Sequence, residues 1–125
     1  MNLGQIEIIS IPVTNQQTAK EFYQQILGFK LITEGSFSEE MPEMQWIQLA
    51  PSESSTTSIT LVTWFEQMPP GSVRGLVIST NDLEADYEEL SKKGIKLSPI
   101  QDAPWGKSAM FQDPDGNGWV LQQSR

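Results

Sequence analysis

A chain of 125 residues with 38% hydrophobic side chains is one domain by size, or two small repeats sharing a core, and its composition is not that of a disordered segment. Sixteen acidic residues against eight basic ones give a formal charge of −8, which argues against a nucleic-acid binder and is compatible with a cationic ligand as well as with plain solubility. Cysteine and histidine are both absent, so disulfides, thiolate chemistry and imidazole, whether as base or as metal ligand, are excluded, and any metal needs oxygen ligands or a bound small molecule. No apolar run approaches the ~20 residues that span a bilayer, and the N-terminus lacks the layout of a signal peptide. A cytoplasmic protein without membrane contact is expected.

The first predicted strand is Ile6 to Val13, rich in isoleucine. Thr14 or Asn15 can cap the helix that follows, whose buried face is marked by Ala19, Phe22, Tyr23, Ile26 and Leu27 and whose end is marked by Gly28. Phe29 to Thr33 reads as the second strand, and the polar stretch Glu34 to Glu43 reads as a loop. Met44 to Leu49 and Ile59 to Phe65 are the third and fourth strands, separated by a polar turn over 51–58. Residues 67–72, with Pro69, Pro70 and Gly71, form the linker. Arg74 to Thr80 opens the second half as a strand. Asp82 caps a helix carrying Leu83, Tyr87 and Leu90, with Lys92 and Lys93 near its C-terminus and Gly94 ending it. A short strand over 96–98, a loop over 100–106, a strand over 107–112, a turn over 113–117 and a strand over 118–123 complete the chain.

These elements are one plan written twice. Ile8 aligns with Gly75, Gln48 with Phe111 through Ala50-Pro51 and Asp113-Pro114, and Thr60 with Val120. Two strand-helix-strand-strand-strand units are predicted, over 1–66 and 73–125, each too small to bury its own sheet face.

The pieces Val13-Thr14-Asn15, Ala19 to Tyr23, Leu27-Gly28-Phe29, Asn81-Asp82-Leu83, Pro104-Trp105-Gly106 and Phe111 to Asn117, with its Asp-Pro-Asp-Gly-Asn turn, together resemble the glyoxalase/bleomycin-resistance/extradiol-dioxygenase (vicinal oxygen chelate) superfamily. The resemblance covers nearly the whole chain. It implies an α+β fold of two βαβββ modules, whose curved mixed sheets surround a cavity within one compact domain. It also implies a homodimer. The turn itself reads as structural, because Asp113 and Asp115 can accept backbone N–H bonds, Pro114 fixes φ and Gly116-Asn117 tolerates positive φ.

Metal-dependent members of that superfamily place a ligand on the first and last strand of each module. Carried onto this chain, those positions are Ile8, Thr60, Gly75 and Val120, which cannot bind a divalent cation. No metal, no cofactor and no catalytic residue is therefore expected. Period two along the strands adds Ser10, Val77 and Gln122, together with Ile6, Val62 and Ser79, to the same face. Gly75 is read as leaving room for a ligand against bare backbone. Gln48 and Phe111 are expected to face inward from the third strands, and Trp105 to act as an aromatic lid. The acidic loop Glu39-Glu40 with Glu43 would attract a cation if it bordered the cavity.

The expected function is binding of a small organic molecule, neutral or cationic, and its sequestration as in the bleomycin-resistance branch. Two alternatives remain open. One is a lyase, isomerase or dioxygenase with an atypical metal site. The other is a non-catalytic interaction domain whose cavity its own side chains fill.

Overall fold

The computed structural model describes residues 1–124, with side chains at all of these except 37 and 41–43. The chain divides into two compact units, Met1–Pro70 and Gly71–Arg125.

The first unit runs β1 (Ile8–Pro12), α1 (Gln16–Glu21), β2 (Lys30–Ser38), β3 (Met41–Ala50) and β4 (Ser58–Val62). Its sheet has the order β1-β4-β3-β2, with β1 parallel to β4 and the other pairs antiparallel. The second unit repeats the plan with β5 (Leu76–Ser79), α2 (Leu83–Lys92), β6 (Gln101–Ala103), β7 (Gly106–Gln112) and β8 (Gly118–Ser124), in the order β5-β8-β7-β6. The fold is α+β with two four-stranded mixed sheets, as the internal repeat predicts.

Both helices start at the expected caps. The Asn15 carboxamide oxygen accepts from the Thr18 N–H at 3.0 Å, and the Asp82 carboxylate accepts from the Ala85 N–H at 3.1 Å. Glu84 and Asp86 in the first turn of α2, and Lys92 in its last, suit the helix dipole. The first helix changes character after Glu21. Phe22–Ile26 continue it as a π-helical segment, in which the Leu27 N–H reaches the Phe22 carbonyl. That wider turn keeps Phe22 and Tyr23 buried, whereas Ile26 and Leu27 are only half-buried.

In the first unit, alternate strand residues Ile11, Ile47, Leu49 and Leu61 are buried with Tyr23. Each such side chain contributes about 1.5–3 kcal/mol on burial. In the second unit Ala109, Phe111, Trp119 and Leu121 do the same with Leu83 and Leu90 of α2. Gln16 is the polar exception. Its Nε2 donates to the carbonyls of Gln45 and Leu61, both at 2.7 Å, joining α1 to the sheet.

Three expectations need correcting. Residues 34–43 are not a loop, because β2 and β3 form a long hairpin that turns at Glu39-Glu40. Ladder hydrogen bonds along the whole hairpin override a locally polar composition, with register shifts between Leu31 and Thr33 and between Ser36 and Ser38. The short strand expected over 96–98 is displaced to β6, inside the expected loop. Pro104-Trp105 form a two-residue turn between β6 and β7, while Ser98 still bonds the Met110 backbone. Gly106 makes this possible, since its φ is 150° and a Cβ there would lie 2.3 Å from the Gln123 carbonyl oxygen. Finally, β1 and β4 are shorter than expected, leaving Ile6, Trp64 and Phe65 outside the strands.

A candidate ligand-binding face on each sheet

Directly paired residues of neighbouring strands share a face. In the first unit the pairs Ser10–Thr60, Thr60–Gln48 and Gln48–Thr33 make one polar row across all four strands, on the opposite side from Leu49 and Leu61. In the second unit the corresponding row is Val77–Val120–Met110 and is apolar. Beside it, Ser79–Gln122–Ser108–Gln101 make a second, polar row.

These rows contain Ser10, Gln48 and Thr60 on the first sheet and Val77, Val120 and Gln122 on the second. Ile8 pairs with Ser58 at the start of β1 on the same face. Phe111 does not belong there. Val120 pairs with Met110, so the counterpart of Gln48 is Met110, and Phe111 turns to the helix side. There it is buried and stacks on Trp119 with ring planes 8° apart. The shared residue-proline pair, Ala50-Pro51 and Asp113-Pro114, suggested a different register. The connections 51–57 and 113–117 differ in length, and a one-residue slip inverts every side chain.

Two further residues occupy other places than expected. Gly75 precedes β5 instead of lying in it, and a Cβ there would meet nothing within 4 Å. Its φ of 78° accounts for the glycine, not a close approach by a ligand. Trp105 stands at the tip of the β6–β7 turn, 69% exposed, with no hydrogen bond or ring contact among the described residues. Sequence reasoning missed Trp46 and Ser58, although period two from Gln48 points to Trp46.

Trp46, Gln48 and Ser58 form a relay on the first face. The Trp46 indole N–H donates to Gln48 Oε1 at 3.1 Å, Gln48 Nε2 donates to Ser58 Oγ at 2.8 Å, and the Ser58 hydroxyl donates to the Glu7 carbonyl at 3.3 Å. The Ser10 and Thr60 hydroxyl oxygens lie 3.5 Å apart. No side chain in any of these rows is ionisable, in a chain that is 19% charged. The charges sit elsewhere. Lys107 pairs with Glu84 of α2 at 2.7 Å, and Lys20 with Glu34 at 2.6 Å. Hydrogen bonds from Lys20 and then Gln17 hold the Glu34 carboxyl below its ordinary range.

The four positions that carry metal in related folds supply one hydroxyl, that of Thr60, and no carboxylate. That hydroxyl is turned towards Ser10, and this donor set does not fit a divalent cation. Among the described residues, no three carboxylates cluster into an alternative site. Glu39 and Glu40 occupy the β2–β3 turn and are exposed, and the side chain of Glu43 lies outside the described residues. A separate cleft of about 680 Å³ in the first unit is lined by Gln24, Lys30, Ile32, Ser52 and Glu53 among others, and contains none of the row residues. The Asp113–Asn117 turn is structural. Asp113 Oδ1 accepts from the N–H groups of Asp115 and Asn117, and the Asn117 side chain accepts from the Val73 N–H ahead of β5.

A family model described as the Glyoxalase/Bleomycin resistance protein/Dioxygenase superfamily matches residues 5–121. Among solved structures, the chain is similar to TnmS3, an antibiotic binding protein from Streptomyces sp. CB03234. The identity is 39%, over 100% of this chain and 99% of that one, with a TM-score of 0.91. A glyoxalase/bleomycin resistance protein from the same organism is 40% identical, over 95% of this chain and 100% of its own, with a TM-score of 0.85. The uncharacterised protein YetH of Bacillus subtilis is 28% identical, over 97% of this chain and 99% of its own length.

Proposed function

This chain belongs to the glyoxalase/bleomycin resistance/dioxygenase superfamily, and from that premise we propose that it is a metal-independent binding protein that sequesters a small organic molecule without transforming it. The observation that carries the reading is the pair of sheet rows without ionisable side chains. Small-molecule sites are mostly apolar with a few placed polar groups, and the rows Ser10–Thr60–Gln48 and Val77–Val120–Met110 have that composition. The donor set at Ile8, Thr60, Gly75 and Val120 supports metal independence. The similarity to an antibiotic binding protein supports a compound of antibiotic type as ligand. The protein acts as a homodimer in the cytoplasm, with the ligand held against these sheet faces, and Trp105 closes over it.

The test is thermal unfolding of chelator-treated protein against a panel of natural-product antibiotics, followed by recovery of the compound. A binder raises the midpoint roughly with the logarithm of ligand concentration once that exceeds Kd, by linkage, and the compound returns unchanged. A compound recovered as a new chemical species, or stabilisation that appears only when Zn²⁺ or Ni²⁺ is added, would refute the reading.

A further inference from the structure

We infer that the molecule held at the first sheet face is uncharged and docks a carbonyl-type acceptor oxygen onto the Gln48 carboxamide, an inference that rests on the binding-protein reading above. An indole N–H is donor only, so its bond to Gln48 fixes which end of that carboxamide is oxygen. Nε2 therefore points along β3 towards Ser58 and spends one hydrogen there. Its second hydrogen has no partner among the described residues. Thr60, 1% exposed, has its hydroxyl 3.5 Å from the Ser10 oxygen and lies beneath the accessible surface.

Gln48 and Thr60 are directly paired across β3 and β4. The unspent amide N–H of Gln48 thus stands on this face and can donate to an acceptor oxygen. Nothing in the row can neutralise a charge, because Ser10, Thr60, Gln48 and Thr33 are all neutral. An ammonium or carboxylate on the ligand would lose its water without gaining a counter-ion. This narrows the ligand class suggested by the net charge of −8, which alone leaves cations open. Trp46 is a positioning residue: it holds the amide in the donating orientation.

Calorimetric titration with 9-fluorenone, fluorene, fluorenone-2-carboxylate and 2-aminomethylfluorenone tests the inference. Fluorenone is expected to bind about three- to ten-fold tighter than fluorene, the worth of one net hydrogen bond. Both charged derivatives should bind at least ~30-fold weaker than fluorenone. Gln48→Leu should erase the preference for fluorenone over fluorene while leaving fluorene affinity in place. Gln48→Glu should invert the charge preference and favour the aminomethyl compound. Charged derivatives that bind as well as fluorenone, or a carbonyl preference that survives in Gln48→Leu, would overturn the assignment while leaving the binding reading intact. If none of the four compounds binds at its solubility limit while the antibiotic panel still stabilises the protein, the assignment fails and the binding reading stands; if neither binds, both fail.

Discussion

Asn117 and Trp105 are twelve residues apart in sequence and opposite in what they do, which the burial of each makes plain: Asn117 is 0% exposed and Trp105 69%. The Asn117 carboxamide donates to Asp113 at 2.8 Å and accepts from the Val73 N–H at 3.2 Å, so it ties the 113–117 turn to the chain entering β5. Asn117→Ala leaves the Val73 N–H without this acceptor and removes one donor from Asp113, and is expected to cost about 1–3 kcal/mol in urea unfolding, the cost of a buried unsatisfied group. Trp105→Ala removes an indole with no described hydrogen bond or ring contact, so stability should stay within about 0.5 kcal/mol. If Trp105 closes over a ligand, the same change weakens binding up to ~30-fold in a fluorescence titration. An unchanged affinity would remove Trp105 from the site. At this scale the sequence was readable wherever a residue type has one dominant local use. Asn15, Asp82 and the Asp-Pro-Asp-Gly-Asn turn all do what their side chains suggest. The exchange of Phe111 for Met110 was not readable, because both are apolar and only the β7–β8 register separates them.

Among the elements, α1 depends on one polar side chain more than its apolar face suggests. Gln16 bridges the Gln45 and Leu61 carbonyls, and no sequence pattern marks it, because a glutamine near a helix start is ordinarily solvated. Gln16→Leu leaves two carbonyls without their donor and is expected to cost about 2–3 kcal/mol despite the apolar gain. The β2–β3 hairpin is also held to α1 by Lys20 and Glu34. The folded Glu34 carboxyl titrates below its unfolded value, for which ~4.3 is typical. Its stabilisation is therefore present above the unfolded pKa and is lost as pH falls through the lowered folded value. Lys20→Met should lose no more than about 1 kcal/mol at neutral pH, because the pair is partly solvated, and the difference from wild type should vanish in acid. A difference that persists at pH 2 would show that Lys20 acts through packing. The hairpin was the element least legible in the sequence, since Glu34, Gly35, Ser36 and Ser38 carry no strand propensity and only pairing with β3 makes them a strand.

The whole molecule is one plan used twice, and the two copies have diverged where binding is proposed. Ser10, Thr60 and Gln48 correspond to Val77, Val120 and Met110, hydroxyl and amide groups against aliphatic ones. The repeat and its α+β architecture were legible because helix caps, glycine stops and apolar periods recur in the same order in both halves. The chemistry of the faces was only partly legible, because parity along a strand is known only once the register is known. Val77 and Met110 remain 60% and 56% exposed on the second sheet, and apolar surface of that kind suits cover by a ligand or a partner chain. Sedimentation at micromolar concentration is expected to give twice the 14.0 kDa chain mass, with more than ~1,000 Å² buried between copies. A monomer alone would count against the dimer. The most direct test of the central claim is native mass spectrometry of chelator-dialysed protein mixed with uncharged natural-product antibiotics. The account predicts an adduct of one compound per chain, with the compound's own mass and no metal. No adduct with any compound, or an adduct that forms only after Zn²⁺ or Ni²⁺ is restored, would contradict it.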